Sequence, residues 1–193
     1  MQQLLEKFLN NMPLLEASEK EQLAELLQVK TYPKGSLLQE EGKIPKHCFF
    51  VLEGCMRQYQ LVDGLEKTLE FFTADYPAIA SVAYLQQSPS TFYLQAATPS
   101  TLLVGSPERD QQLKEQFPVL QQIIGQMTEK EWLKAQQNHA LFKHSSPEER
   151  YLNLLHHRGD LFQQVPQHQL ASYLGMTPES MSRIRKRIAN KQL

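Results

Sequence analysis

Three side chains near the C-terminus have types and spacing that suit the recognition of DNA bases. Glu179, Ser182 and Arg183 lie three and four residues apart, so on a helix they share one face. A carboxylate can accept a hydrogen bond from the cytosine amine, and an arginine can donate two to the edge of guanine. The pattern therefore predicts that these three residues read bases.

The neighbouring polar and basic residues suit contacts with DNA phosphates. Arg185, Lys186 and Arg187 follow the base-reading residues. Thr177 and Ser180 lie where the same helix should begin, and free amides at a helix N-terminus attract phosphate. We assign all five to the phosphate backbone. A solvated basic face and a protein-docking helix are the alternatives, but neither explains why the basic residues gather on this helix.

Two short helices joined by a tight turn must position these residues. The first is predicted from about Gln167 to Leu174 and ends at Gly175, which supplies a left-handed backbone. Thr177 is the predicted N-cap of the second helix, and Pro178 is its first residue. This arrangement is typical of a helix-turn-helix, whose second helix enters the major groove.

Length and charge indicate a basic C-terminal unit attached to an acidic partner domain. The chain has 193 residues, enough for two small domains with separate cores, and a formal net charge of -1. Basic side chains dominate after residue 165, whereas acidic ones outnumber them before residue 107. No apolar run could span a bilayer and no secretory segment opens the sequence, so we expect a cytoplasmic protein without membrane contact. Cys48 and Cys55 lack the spacing of a metal or redox motif, which favours buried free thiols.

The middle of the chain predicts a β-sheet domain followed by a long helix. From Tyr32 to about Val104, short apolar runs alternate with glycine and proline, which indicates a sandwich or barrel. Pro118 is well placed to start the helix, along which Leu120, Ile124 and Met127 continue an apolar seam with alternating spacings of four and three.

This seam is predicted to be a homodimer interface, with plain core packing as the alternative.

A capping box at Ser146-Pro147-Glu148-Glu149 starts the next helix. The predicted units are the β-sheet domain with its preceding helices at 1–117, the dimerisation helix at 118–145 and the DNA-binding helices at 146–193.

This order resembles the Crp/Fnr family of bacterial transcription regulators. The matching stretches are KGSLLQEEG at 34–42, FFVLEG at 49–54, EFF at 70–72, PEERYLNLL at 147–155 and ASYLGMTPESMSRIRK at 171–186. The last stretch is similar to the branch of the family common in Bacteroidetes. The resemblance implies an α+β fold: an N-terminal double-stranded β-helix or jelly-roll sensor, a long dimerisation helix and a C-terminal winged helix-turn-helix. It also implies a dimer that binds a palindromic operator with TTGA-like half-sites, and RNA polymerase as a partner.

The predicted effector pocket departs from the family pattern. Cyclic-nucleotide-binding relatives place a glutamate for the ribose and an arginine for the phosphate after the EFF-like strand. Here no glutamate or arginine occurs between residues 73 and 94, although Phe72, Ser90 and Thr91 could contact something small. We therefore expect no cyclic nucleotide as effector, with a regulator that binds a cyclic nucleotide or other small ligand in a non-standard pocket as the alternative.

An enzyme of the cupin type is the alternative from a different functional class. Such a metal site needs clustered histidines and a carboxylate on the strands, whereas His47 is the only histidine before the long helix. His156 and His157 are adjacent, so on a helix they point about 100° apart and cannot share a metal. We predict a non-enzymatic protein without a metal or resident cofactor.

Overall fold

The β-sheet domain follows two N-terminal helices in the computed structural model, which describes residues 2–74, 78–79 and 81–191. Its strands are β1 (Gln28–Tyr32), β2 (Leu37–Gln39), β3 (Cys48–Glu53), β4 (Met56–Val62), β5 (Leu65–Phe72), β6 (Ala78–Ile79), β7 (Tyr93–Ala96) and β8 (Ser100–Gly105). The β4–β5 hairpin turns at Asp63 and Gly64, which both have positive φ, the conformation that a tight hairpin requires.

In the described residues these strands form two antiparallel sheets of four. One sheet has the order β1-β8-β3-β6 and the other β2-β7-β4-β5. Apolar side chains from both sheets, including Val51, Met56 and Leu102, make one buried cluster between them. The predicted combination of a β-sheet domain with a long helix is confirmed.

Helices precede and follow the sheets. They are α1 (Gln2–Asn10), α2 (Ala17–Leu26), α3 (Val82–Gln86), α4 (Pro107–Gln116), α5 (Val119–His144), α6 (Pro147–His157), α7 (Leu161–Gln164), α8 (Gln167–Tyr173) and α9 (Pro178–Lys191). The predicted capping box at the start of α6 is present, with Ser146 and Glu149 bonding to each other's backbone N–H. Among the residues described, no helix is long and apolar enough to cross a membrane.

The core of the C-terminal helices extends onto the β-sheet domain. Leu154, Leu170 and Met181 are buried in a cluster that Cys55 and Phe71 of the β-sheet domain complete. α8 packs against β5, so this cluster joins the C-terminal helices to the β-sheet domain.

The predicted wing of the winged helix-turn-helix needs correction. In the described part of the chain no strand follows β8, and every regular element after it is a helix. The stretch from Gly159 to Gln164, which precedes α8, forms a turn and the short helix α7. In this stretch Leu161 is buried in the core of the C-terminal helices and Phe162 packs against it. Both apolar side chains are therefore removed from water without a β-sheet.

Both cysteines are buried free thiols, as predicted. Burial raises the pKa of the Cys48 and Cys55 thiols to about 12. Each thiol is therefore protonated at neutral pH and is a poor nucleophile.

Candidate nucleic-acid interface

The turn between α8 and α9 has the predicted local chemistry. Gly175 adopts φ +66°, the left-handed conformation that ends α8. The Ser180 N–H donates to the Thr177 hydroxyl at 3.2 Å, so Thr177 caps α9, and Pro178 is its first residue. Ala171 of α8 is fully buried, and its small side chain lets the two helices approach closely.

The helix α9 has one buried face and one exposed face. Met181 and Ile184 are buried against α6 and α8. The predicted base readers Glu179, Ser182 and Arg183 are exposed on the opposite side. The structure therefore brings the three predicted readers together on a solvent-facing surface, and we call Glu179, Ser182 and Arg183 the reading row.

Hydrogen bonds at the start of α9 orient part of the reading row. The Ser180 hydroxyl accepts from the Thr177 hydroxyl and from Arg183 Nη2, both at 3.2 Å. Bonding to backbone N–H at the helix start, then to Thr177, and the nearby charge of Arg183 lower the pKa of Glu179. Glu179 is thus ionised at neutral pH and available as an acceptor.

The predicted phosphate contacts surround the reading row. At 100° per residue, Lys186 continues the row, whereas Arg185 and Arg187 flank it on opposite sides. All three side chains are exposed, and Arg187 forms an ion pair with Glu148 at the start of α6. A phosphate at Arg187 would have to compete with this carboxylate, so Lys186 is the better test of a phosphate role.

Sequence reasoning missed the residues that fix the turn to the long helix. Arg150 donates from Nε to the Leu174 carbonyl and from Nη1 to the Ser145 carbonyl, both at 2.9 Å. Its guanidinium also lies 4.5 Å from the ring centroid of Phe142, near the end of α5. Arg150 is part of PEERYLNLL, so the motif was visible, but nothing local in it identifies partners at the ends of α5 and α8.

We expect Gly175→Ala to destabilise the fold by about 1–2 kcal/mol, since a left-handed backbone is unfavourable for a residue with a Cβ. The new Cβ would also lie 2.8 Å from Phe142 Cζ. The matched control is Gly125→Ala, because Gly125 is helical and nothing lies within 4 Å of its added Cβ. The free energy of unfolding of Gly125→Ala should be about 0.5–1 kcal/mol higher than that of the unchanged protein. Urea unfolding at one protein concentration measures both variants. Equal effects of the two substitutions would contradict this account of the turn.

The predicted dimer seam is divided between two environments. Leu120 is 7% exposed and Met127 is half-buried, and both pack with α1 and α2 in the core of their own chain. Ile124 is 39% exposed. Leu120 is therefore corrected to a core residue, whereas Ile124 is free to meet a partner.

A cavity of about 660 Å³ lies on the inner side of β4 and β5. Its lining is entirely uncharged in the described residues and consists of Gln58, Leu69, Phe72, Ser81, Val82, Ala83, Gln86, Ser88, Pro89, Thr91 and Phe92. Phe72 and Thr91 line this cavity, and their role as an effector pocket stays a prediction. Ser90 does not line the cavity, because it is 2% exposed and its hydroxyl bonds to the backbone of Phe92.

Comparison with known proteins agrees with this architecture. Residues 29–116 match the family model of the cyclic nucleotide-binding domain. No curated protein sequence matches the chain.

The catabolite activator protein of Thermus thermophilus is 19% identical, with a TM-score of 0.56 over 94% of this chain and 87% of that one. The c-di-GMP-responsive global regulator CLP of Xanthomonas campestris is 19% identical, with a TM-score of 0.68 over 92% of this chain and 94% of that one. FixK2 of Bradyrhizobium japonicum is 16% identical, with a TM-score of 0.69 over 86% of both chains. The chain has the fold of Crp/Fnr regulators. The Bacteroidetes branch stays a prediction.

Proposed function

We propose that the chain is a dimeric, sequence-specific DNA-binding transcription regulator. The observation that carries this proposal is the reading row: an ionised carboxylate and an oriented guanidinium exposed side by side on a helix that follows a tight turn. The turn and α9 form a helix-turn-helix, and α9 enters the major groove of DNA. The regulator fold of the similar solved structures supports the proposal.

In this proposal Glu179, Ser182 and Arg183 read bases, and polar groups around them hold phosphates. Arg183 takes guanine and Glu179 accepts from a cytosine amine, which suits a TTGA-like half-site and its complement. Arg185, Lys186 and Arg187 contact phosphates of the DNA backbone on either side of the bases. The hydroxyls of Thr177 and Ser180 contact a phosphate at the amino end of α9.

A homodimer would present two reading rows to a palindromic operator. Along α5, Ile124, Thr128, Glu131, Ala135 and Asn138 follow spacings of four and three, and all five line a groove of about 510 Å³ beside β5. Thr128 and Ala135 are small enough for a second α5 to approach closely. The seam therefore starts at Ile124 and continues beyond the residues that the sequence predicted.

Among the described residues, the cavity beside β4 and β5 lacks the charged side chains that a cyclic nucleotide would need. A cyclic phosphate needs a charge-assisted partner when it leaves water, and the described cavity lining has no charged side chain. We propose that DNA binding needs no cyclic nucleotide. Saturating cyclic AMP should leave the thermal unfolding of the protein unchanged, whereas stabilisation by several kcal/mol would contradict this assignment.

The protein acts in the cytoplasm with RNA polymerase as a further partner, and it is not an enzyme. Groups of histidine, cysteine and acidic residues that could hold a metal are absent from the described residues. Retardation of bacterial promoter DNA by the purified protein tests the proposal. Metal-dependent turnover without any retardation would support the cupin-type alternative instead.

We expect Lys186→Gln to weaken binding to all DNA sequences about equally. One fewer phosphate contact releases one fewer counterion, so the slope of log K against log salt should fall by about 1. Lys130→Gln on the exposed side of α5 is the matched control and should leave the slope unchanged. If both variants have the wild-type slope, Lys186 only solubilises the helix.

A further inference from the structure

The C-terminal helices are attached to β5 by a buried arginine. Arg158, at the end of α6, is 7% exposed, and its Nη1 donates to Glu70 Oε1 at 2.8 Å. Its Nη2 donates to the backbone carbonyl of Phe71 at 2.5 Å. An arginine removed from water needs such partners, because an unpaired buried charge is strongly unfavourable. The attachment is therefore specific for this arrangement of the two elements.

A second attachment uses an irregularity in β5. Gln58 pairs with Glu70 and Tyr59 pairs with Thr68, so Leu69 is an extra residue that bulges from the ladder. At this bulge the Thr68 N–H donates to the Ser172 hydroxyl of α8 at 2.9 Å. The same hydroxyl donates to the Glu66 carbonyl at 3.4 Å. Ser172 thus satisfies a backbone donor beside the bulge.

The two sides of β5 serve different parts of the molecule. Phe71 is fully buried on the outer side, where its ring packs edge-on against Tyr173 of α8 at 5.4 Å. The adjacent residue Phe72 packs against the cluster between the two sheets and lines the cavity. The bulge residue Leu69 also lines the cavity. Leu69 and Phe72 lie on the same strand as Thr68, Glu70 and Phe71, to which both attachments are made.

We propose that Arg158, Glu70 and Ser172 form a latch that holds α9 in one orientation, and that an occupant of the cavity loosens the latch through β5. Glu70 and Ser172 act as positioning residues, since neither lies in the reading row. With the latch closed the reading row is exposed. The effect on DNA binding rests on the proposed function, whereas the latch and its coupling to the cavity do not.

Amide hydrogen exchange at Thr68 tests the latch without DNA. Ser172→Ala removes the acceptor of this amide, and Arg158→Gln removes the charged attachment, so each should speed Thr68 exchange at least about tenfold. Ser18→Ala and Arg109→Gln, at exposed positions, should leave it unchanged. Circular dichroism checks that the variants are folded, and Ser172→Ala is the milder change should Arg158→Gln unfold. Unchanged exchange in the folded Ser172→Ala protein would overturn the latch.

A cavity-filling substitution tests the coupling. Thr91 lines the cavity and is exposed at its rim, so Thr91→Trp imitates an occupant, with Thr91→Ala as its control. Thr91→Trp should speed Thr68 exchange at least about threefold while Thr91→Ala does not. Equal exchange in both would overturn the coupling.

The DNA arm separates this inference from the proposed function. Ser172→Ala should lower the affinity for a palindromic operator about tenfold, because two loosened units no longer match a fixed half-site spacing. Unchanged affinity together with fast exchange would overturn the role of the latch in orienting α9. If the wild-type protein shows no preference for the operator but the expected exchange rates are observed, the proposed function is wrong and the latch is supported.

Discussion

We expect Ile124→Glu to convert the protein from a dimer to a monomer. Ile124 is partly exposed on α5 and begins the stripe with alternating spacings of four and three. In a symmetric interface the new carboxylate would lie close to its own symmetry mate, where neither charge has a partner. Such a desolvated charge costs several kcal/mol. Sedimentation equilibrium should therefore show monomers at concentrations where the unchanged protein is a dimer.

The same variant should lose most of its operator affinity. A dimer binds its second half-site as an intramolecular event, which raises affinity by about 10²- to 10⁴-fold over a single unit. Gln126→Glu adds the same charge on the exposed side of α5 away from the stripe and is the matched control. A dimer that tolerates Ile124→Glu would place the interface elsewhere on the chain.

The second large effect concerns Arg183. Replacing it with alanine should weaken the preferred operator by about 1–3 kcal/mol and relax the preference at a single base position. The reason is that an arginine fork recognises the edge of guanine, while the remaining contacts to phosphate are unaffected. Selection from an operator library by the wild-type protein and the variant would measure both effects.

Lys186→Gln serves as the comparison for Arg183→Ala. Both variants remove one exposed positive charge from α9. Only Arg183→Ala should change the ranking of operator sequences. If Arg183→Ala weakened every sequence equally, the base-reading role of Arg183 would be wrong.

Much of the C-terminal structure was predictable because its chemistry is local. Gly175 can adopt the left-handed backbone, Thr177 can cap the next helix, and Pro178 suits the first helical position. Each of these backbone and capping preferences involves residues within one helical turn of each other, so it can be predicted from the local sequence. The exposed reading row follows from the helical repeat once the buried positions Met181 and Ile184 are known.

The features that sequence analysis misassigned depend on distant segments. Leu120 belongs to an apolar repeat, but which side of α5 faces its own chain is decided by α1 and α2. The buried position of Ser90 depends on the segment after β2, where the Gly42 N–H donates to the Ser90 carbonyl at 2.8 Å and the Lys43 carbonyl accepts from the Ser90 N–H at 3.0 Å. Similarly, Arg158 carries no local sign that its partner Glu70 lies 88 residues away in sequence. Such pairings arise from tertiary packing, which periodicity and capping rules do not encode.

The most direct measurement is a fluorescence anisotropy titration of ligand-free protein with two DNA duplexes at one salt concentration. One duplex has two TTGA-like half-sites as a palindrome, and the other has the same composition in scrambled order. We expect the palindrome to bind at least about 10³-fold more tightly, the lower end of the range for specific DNA-binding proteins. Equal affinities for the two duplexes would contradict the claim that this protein reads DNA sequence.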